Sequence, residues 1–262
     1  MQAFKDQLGN TIKLGEVPKR IISIVPSQTE FLWNIGVHNE LVGITKFCVH
    51  PNKLKKNILL VGGTKKLNIQ KIRSLKPDLI IGNKEENEKA DIVLLQQEFN
   101  VWMSDIYNFE DAFDMMLRLG KIVDKEKKSM ELVSQLKNNL VELKNTFKHQ
   151  TVAYFIWNKP YMLAANSTFI NSVLSYIGFR NVCSNLERYP QLSNEQLQQL
   201  EPDFCFLSSE PFPFKEKHVK ELQQLLPKTN ICIVDGELFS WYGSRLVHLN
   251  TYIKKLKKQI NA

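Results

Sequence analysis

The sequence is poor in the features by which catalytic and membrane proteins are usually recognised. Cysteine is scarce, with four residues at 48, 183, 205 and 232 and no close pair. Three of them stand in apolar surroundings, which reads as buried free thiols rather than a disulfide framework or a metal site. No stretch approaches membrane-spanning length, and the N-terminus "MQAFKDQLGNTIKL" lacks the apolar core of a signal peptide. Two localisations stay open: periplasmic or cell-envelope if a leader was trimmed, cytoplasmic if this N-terminus is native. There is no P-loop, no dinucleotide fingerprint and no nucleophile–base pair in a recognisable context. No basic stripe alternates with aromatics and no zinc-finger spacing occurs, so nucleic acid is not an expected partner.

What is present describes an ordinary globular chain. Its 262 residues are 43% hydrophobic and 24% charged, enough for one large domain or two small ones. The net charge of +8 comes from scattered lysines, densest at 121–128 and 254–258, and serves solubility.

Short apolar runs alternate with amphipathic ones. "RIISIVP" reads as a strand stopped by Pro26, with Ser27 and Thr29 placed to cap or open the helix "TEFLWNIG". "ELVGIT", "DLIIG" and "VWMSD" read as further strands, separated by helices over "NIQKIRSLKP" and 87–98. Such alternation predicts a parallel sheet covered on its faces. From Phe109 to Phe147 there is no proline and one glycine, Gly120, and apolar residues recur at helical spacing. That is one very long helix, or two separated near Asp124. A second α/β run opens at "TVAYFIW". There "STFINSVLSYIG" echoes "QTEFLWNIG", and "SNEQLQQLEPDFCFLSS" echoes "LNIQKIRSLKPDLIIG". The echo means two lobes of like topology, or convergence on a common helix–proline–strand grammar. The expected organisation is an N-terminal α/β lobe over 1–107, a long linking backbone helix over 108–148 and a C-terminal α/β lobe over 149–262. Each lobe would hold a short parallel sheet, with a ligand cleft between the lobes.

Ligands of parallel α/β units meet the loops at the carboxyl ends of the strands. That rule selects Ser27, the loop from Thr45 through Phe47 to His50, Asn83 with Lys84, Trp157, and "LFSWYGSR" with Trp241, Tyr242 and Arg245. Ser27 has no G-x-S-x-G elbow, so a nucleophile is set aside for a helix cap. His50 has no partner histidine at metal-binding spacing. Glu85, Glu86 and Glu88 read as the acidic first turn of a helix rather than a metal cage. The three aromatics of "LFSWYGSR" pack under a helix or line a cleft, with Arg245 able to meet an anion. No catalytic residue, metal or required cofactor is expected, and binding is favoured over chemistry.

Three segments resemble one family: "PKRIISIVPSQTEFLWNIGVHNELVGITKFCVHP", "VGGTKKLNIQKIRSLKPDLIIGNKEEN" and "LSNEQLQQLEPDFCFLSS". They resemble the substrate-binding proteins of ABC transporters for cobalamin and iron–siderophore uptake, the class with a helical backbone between lobes. The resemblance implies a carrier that hands a small molecule to a membrane permease without converting it. It implies a cobalamin or related corrinoid, a haem or a ferric chelate as ligand. At positions where the family presents aromatics this sequence has Phe47 or His50, Thr64, Lys84 and Tyr189, and Arg245 matches a family arginine. Two transporter-docking positions fall on Gln70 and Glu195. The second is acidic and the first is not, so Glu85 or Glu86 would substitute. A monomer is expected. The competing readings are a cytoplasmic scavenger or sensor, a module that lost its ligand, and an enzyme component of the linked α/β metal-cluster type. The scattered cysteines argue against the last.

Overall fold

The structure, a computed structural model, describes residues 1–148 and 150–260. The lobe boundary expected at 149 and the end at 262 lie outside the described residues. The chain forms two compact units. Unit 1 comprises Met1–Ile106, Glu110–Gln135 and Tyr242–Arg245, and unit 2 comprises Tyr107–Phe109, Leu136–Trp241 and Leu246–Ala262.

Unit 1 opens with a hairpin of β1 (Gln2–Lys5) and β2 (Thr11–Leu14). Asp6 fixes its turn by accepting from the backbone N–H groups of Leu8 and Asn10. The main sheet follows: β3 (Ile21–Ser23), α1 (Pro26–Asn34), β4 (Leu41–Ile44), α2 (Leu54–Asn57), β5 (Leu59–Leu60), α3 (Ile69–Leu75), β6 (Leu79–Asn83), α4 (Lys89–Gln96) and β7 (Val101–Ser104). The strand order β5-β4-β3-β6-β7 is parallel throughout. Ile22, Ile24, Ile80, Ile72 and Leu95 form a core on this sheet. Pro26 does not simply stop a strand. It is the first residue of α1, where its missing N–H costs nothing, and Val25 rather than Ser27 is the N-cap.

The proline-free run is two helices, α5 (Phe109–Ile122) and α6 (Glu126–Val141), not one. Asp124 takes a left-handed φ of 54° and the Lys125 N–H returns to the Gly120 carbonyl, which closes α5. Gly120 permits the close packing at this break, because a Cβ there would fall 2.4 Å from Ser129 Cβ. Residues of α6 up to Gln135 group with unit 1 and those from Leu136 with unit 2.

Unit 2 continues with β8 (Thr151–Trp157), β9 (Tyr161–Leu163), α7 (Phe169–Tyr176), β10 (Arg180–Asn181), β11 (Gln191–Leu192), α8 (Asn194–Leu200), β12 (Phe204–Ser208), α9 (Glu216–Leu225), β13 (Asn230–Val234), α10 (Gly236–Ser240) and α11 (Leu249–Ile260). Strands β10 and β12 pair parallel with β8 and β13 pairs parallel with β12, whereas β9 and β11 add antiparallel pairs. The sheet is therefore mixed. Its core is aromatic: Phe147 stacks on Phe179 at 4.3 Å, and Phe179 meets Phe206 edge-on at 5.2 Å. Gly178 is required here, since a Cβ would fall 2.0 Å from the Phe147 carbonyl oxygen.

Candidate functional site

At the carboxyl ends of the unit 1 strands the polar side chains are committed to one another. Asn83, the last residue of β6, is 2% exposed. Its Nδ2 donates to Ser104 Oγ at 2.9 Å, and its Oδ1 accepts from the N–H groups of Glu85 and Glu86 at 2.8 and 3.1 Å. Asn83 thus closes an Asx-type turn, its amide committed to Ser104 and to the turn that carries Lys84. Glu85 and Glu86 sit in that turn, and α4 begins only at Lys89, so they are not its first turn. The Asn87 Nδ2 donates to the carbonyls of Ile24 and Thr64, tying three loops together. Thr64 is 9% exposed, while Lys84 is exposed and pairs with Asp105 at 2.6 Å.

The loop after β4 is the open part of this surface. Cys48 anchors it between Thr29 Oγ1 and Thr45 Oγ1, at 3.2 and 3.3 Å, and burial pushes its thiol up. Phe47 is 49% exposed with the Lys46 ammonium 5.0 Å from its ring centre. His50 is half-buried in the same loop.

The segment Tyr242–Arg245 also belongs to unit 1, on α1. Arg245 grips Glu30 with two bonds, Nε to Oε2 at 2.9 Å and Nη2 to Oε1 at 3.0 Å, and both side chains are nearly buried. The guanidinium thus meets a carboxylate of its own chain in a bidentate pair. Asn34 Nδ2 donates to Ser244 Oγ at 2.7 Å. Tyr242 is 6% exposed, its hydroxyl beside Ser27 and Ser104, and burial holds it well above the ordinary phenol range. Ser27 is 6% exposed and makes no cap bond.

In unit 2 the open aromatic is Trp157, 41% exposed and edge-on to Phe212 at 5.6 Å. Trp241 is buried, and its Nε1 donates to Glu210 Oε1 at 2.7 Å beside Ser240 Oγ at 2.8 Å. Burial, with Glu237 and Asp235 nearby, holds the Glu210 carboxyl above the usual range. The "LFSWYGSR" aromatics are thus packed, with Phe239 wholly buried. Tyr189 is half-buried with the Arg188 guanidinium 5.6 Å from its ring. Cys183 and Cys232 are pushed up to about 11 by burial and Cys205 further, which keeps these free thiols protonated and inert.

Gln70 and Glu195 occupy matching places. Each is exposed and is the second residue of its helix, α3 behind the Asn68 cap and α8 behind the Ser193 cap. Hydrogen bonding to Ser193 holds the Glu195 carboxyl below the usual range. Two concavities lie elsewhere, one of about 470 Å³ beside Asn250 and Lys254 and one of about 460 Å³ beside Pro18 and Asp78, at the amino ends of β3 and β6. Among the described residues no group of three or more His, Cys, Asp or Glu could hold a metal. No described helix is long and apolar enough to cross a membrane. Sequence reasoning missed Glu30, Asn34 and Glu210 as partners of the residues it selected. The spacing of Ser27, Glu30, Phe31 and Asn34 on one helical face was the available signal for the first two.

Two α/β units of related topology, each with a parallel arrangement of central strands and an exposed aromatic after one of them, define the architecture. The chain belongs to the periplasmic binding protein family, which matches residues 21–227, and its members are ligand carriers rather than catalysts. It is 25% identical over 209 residues to an uncharacterised ABC transporter substrate-binding lipoprotein, YvrC, of Bacillus subtilis, covering 76% of this chain and 66% of that protein. Its fold is that of a possible iron-binding periplasmic solute-binding protein from Staphylococcus epidermidis, with a TM-score of 0.77 and 23% identity over 94% of this chain and all of that one. It is also that of the periplasmic vitamin B12-binding protein BtuF of Vibrio cholerae, with a TM-score of 0.76 and 22% identity over 93% and 99% of the two chains.

Proposed function

We propose that this chain is the substrate-binding component of an ABC-type uptake system, and that its ligand is a cobalamin-type corrinoid. Haem and ferric chelates are the nearest competitors. The observation that carries the reading is the Phe47 loop. A half-exposed ring with an ammonium over it, on a loop pinned by a buried cysteine, offers a flat apolar contact beside a positive charge. A macrocycle with anionic or amide side groups needs both. Trp157 offers a like contact in unit 2, where Tyr189 is half-buried, and His50, Thr64 and Lys84 stand in the loops after β4, β5 and β6 of unit 1. Family membership supports delivery to a permease, and Glu195 with Gln70 would face it. A carrier with that partner works at the outer face of the cell membrane.

The test is a visible-absorbance titration of the purified protein with cyanocobalamin, haemin and ferric chelates. Saturable binding of cyanocobalamin in the micromolar range, weakened by Phe47→Ala, is expected. Saturation by haemin or a ferric chelate alone would move the ligand to that class, and no saturation by any of the three would overturn the reading.

A further inference from the structure

Segment 242–245 and helix α1 meet along a single line. Tyr242 stands at Ser27, Gly243 packs against Ser27 and Phe31, Ser244 bonds Asn34, and Arg245 clasps Glu30. Positions 27, 30, 31 and 34 follow the i, i+3, i+4, i+7 spacing of one helical face. Four consecutive residues are thus matched to four residues of one stripe. Gly243 is needed for the fit: its φ is +127°, and a Cβ would lie 3.3 Å from the Ser27 carbonyl oxygen and 3.4 Å from Phe31 Cβ.

We propose that Arg245 is a positioning residue of the ligand site. By clasping Glu30 it docks the segment on α1 and so sets Tyr242 against Ser27 and Ser104, at the ends of the strands that carry the ligand loops. This rests on the ligand reading above for its effect on affinity, but not for the docking itself. The physical case is that a nearly buried guanidinium is stable only with its carboxylate in place. Losing either partner leaves an uncompensated charge that is relieved by undocking. Undocking withdraws Tyr242 from beneath the Asn83–Ser104 network, whose members hold the turn carrying Lys84. Arg245 then acts on ligand through Tyr242, not by contact.

The test compares R245Q, G243A and the charge-exchanged double variant E30R/R245E in the full chain. Two readouts are taken: amide hydrogen exchange at 242–245, and cyanocobalamin affinity. R245Q and G243A are both expected to raise exchange across the segment. If docking falls to about a tenth of molecules, apparent affinity falls about tenfold with it. E30R/R245E is expected to recover most of both. Weakened binding in R245Q with unchanged exchange would overturn the proposal, because the arginine would then touch ligand directly. Raised exchange in G243A with unaltered affinity would overturn it as well. If the wild-type protein binds none of the three probes, the ligand reading fails. The exchange pattern alone then decides: a segment released in R245Q and recaptured in the double variant supports the clasp, and one indifferent to both variants refutes it.

Discussion

The first helix after the first parallel strand is covered in both units, but by opposite chemistry. In unit 1 the face of α1 carrying Ser27, Glu30, Phe31 and Asn34 receives Tyr242–Arg245 through an ion pair and polar bonds. In unit 2 the corresponding face of α7 carries Phe169, Ser172, Val173 and Tyr176, aligned on the shared Ile-Gly ending. It receives Tyr107–Phe109, and Phe109 meets Phe169 at 5.4 Å and Tyr176 at 5.2 Å, both edge-on. In each case the covering segment follows the last parallel strand of the other half of the sequence. The aromatic version holds through area and is tolerant of small shifts. The bidentate pair holds only in one geometry and fails when either charge is removed. The same architectural task is thus done once by a permissive contact and once by a specific one.

The largest effect should come from breaking the aromatic half. Phe109→Ala removes a ring that is 6% exposed and wedged against two others. A loss of about 3–5 kcal/mol is expected from the cavity and the lost transfer energy. Urea unfolding measures it. Phe109→Leu, which refills most of the volume, should recover the greater part. Equal losses in the two variants would mean that the ring geometry, not the area, matters.

A smaller and more symmetric effect is expected at the two Pro-Asp junctions. Asp78 Oδ2 accepts the N–H groups of Lys19 and Arg20 just before β3, and Asp203 Oδ2 accepts the N–H and Oγ1–H of Thr151 at the start of β8. The helices before them end alike, at Lys76 with φ 45° and Glu201 with φ 39°. Asp78→Ala and Asp203→Ala should each cost about 1–2 kcal/mol, because each leaves two donors beside an empty place at a strand start. A matched pair of losses would establish that the repeated phrase has one structural duty. A loss at one site alone would confine that duty to one unit.

These junctions also explain what could be read from the sequence. "LKPDLIIG" and "LEPDFCFLSS" were legible because a helix stop, a proline and a strand start are local events, each set by adjacent residues. That β3, β6 and β7 run parallel followed from the alternation of elements; their order in the sheet did not. The hairpin β1–β2 and the antiparallel pairs of β9 and β11 were not legible, since two- to four-residue strands carry too little alternation to register. The break at Asp124 left only a choice of one helix or two, because a non-glycine residue in the left-handed region has no fixed sequence sign. The partner of Arg245 was not legible for a deeper reason. An arginine in an aromatic loop suggests an anion, and the partner it has in the structure, Glu30, lies 215 positions away on a helix whose acidic residue gave no sign of being paired.

The smallest expected effect concerns pH and separates two carboxylates of unit 2. Burial holds Glu210 above the usual range, whereas the Thr151 N–H holds Asp203 below it. An acid raised in the folded protein binds more protons folded than unfolded, so its stability contribution falls as pH rises from the unfolded value to the folded one. An acid lowered in the folded protein behaves oppositely, and its contribution is lost as pH falls through the folded value. Glu210→Gln keeps an oxygen that can accept from Trp241 Nε1 and Ser240 Oγ but removes the titration. The variant should therefore lose the decline in thermal midpoint just above the ordinary carboxylate range, while the acid-side decline owed to Asp203 persists. Melting followed from pH 3 to pH 8 or so reads both arms. If wild type and variant keep parallel profiles above the carboxylate range, Glu210 is not carrying the charge penalty that its burial against Trp241 implies.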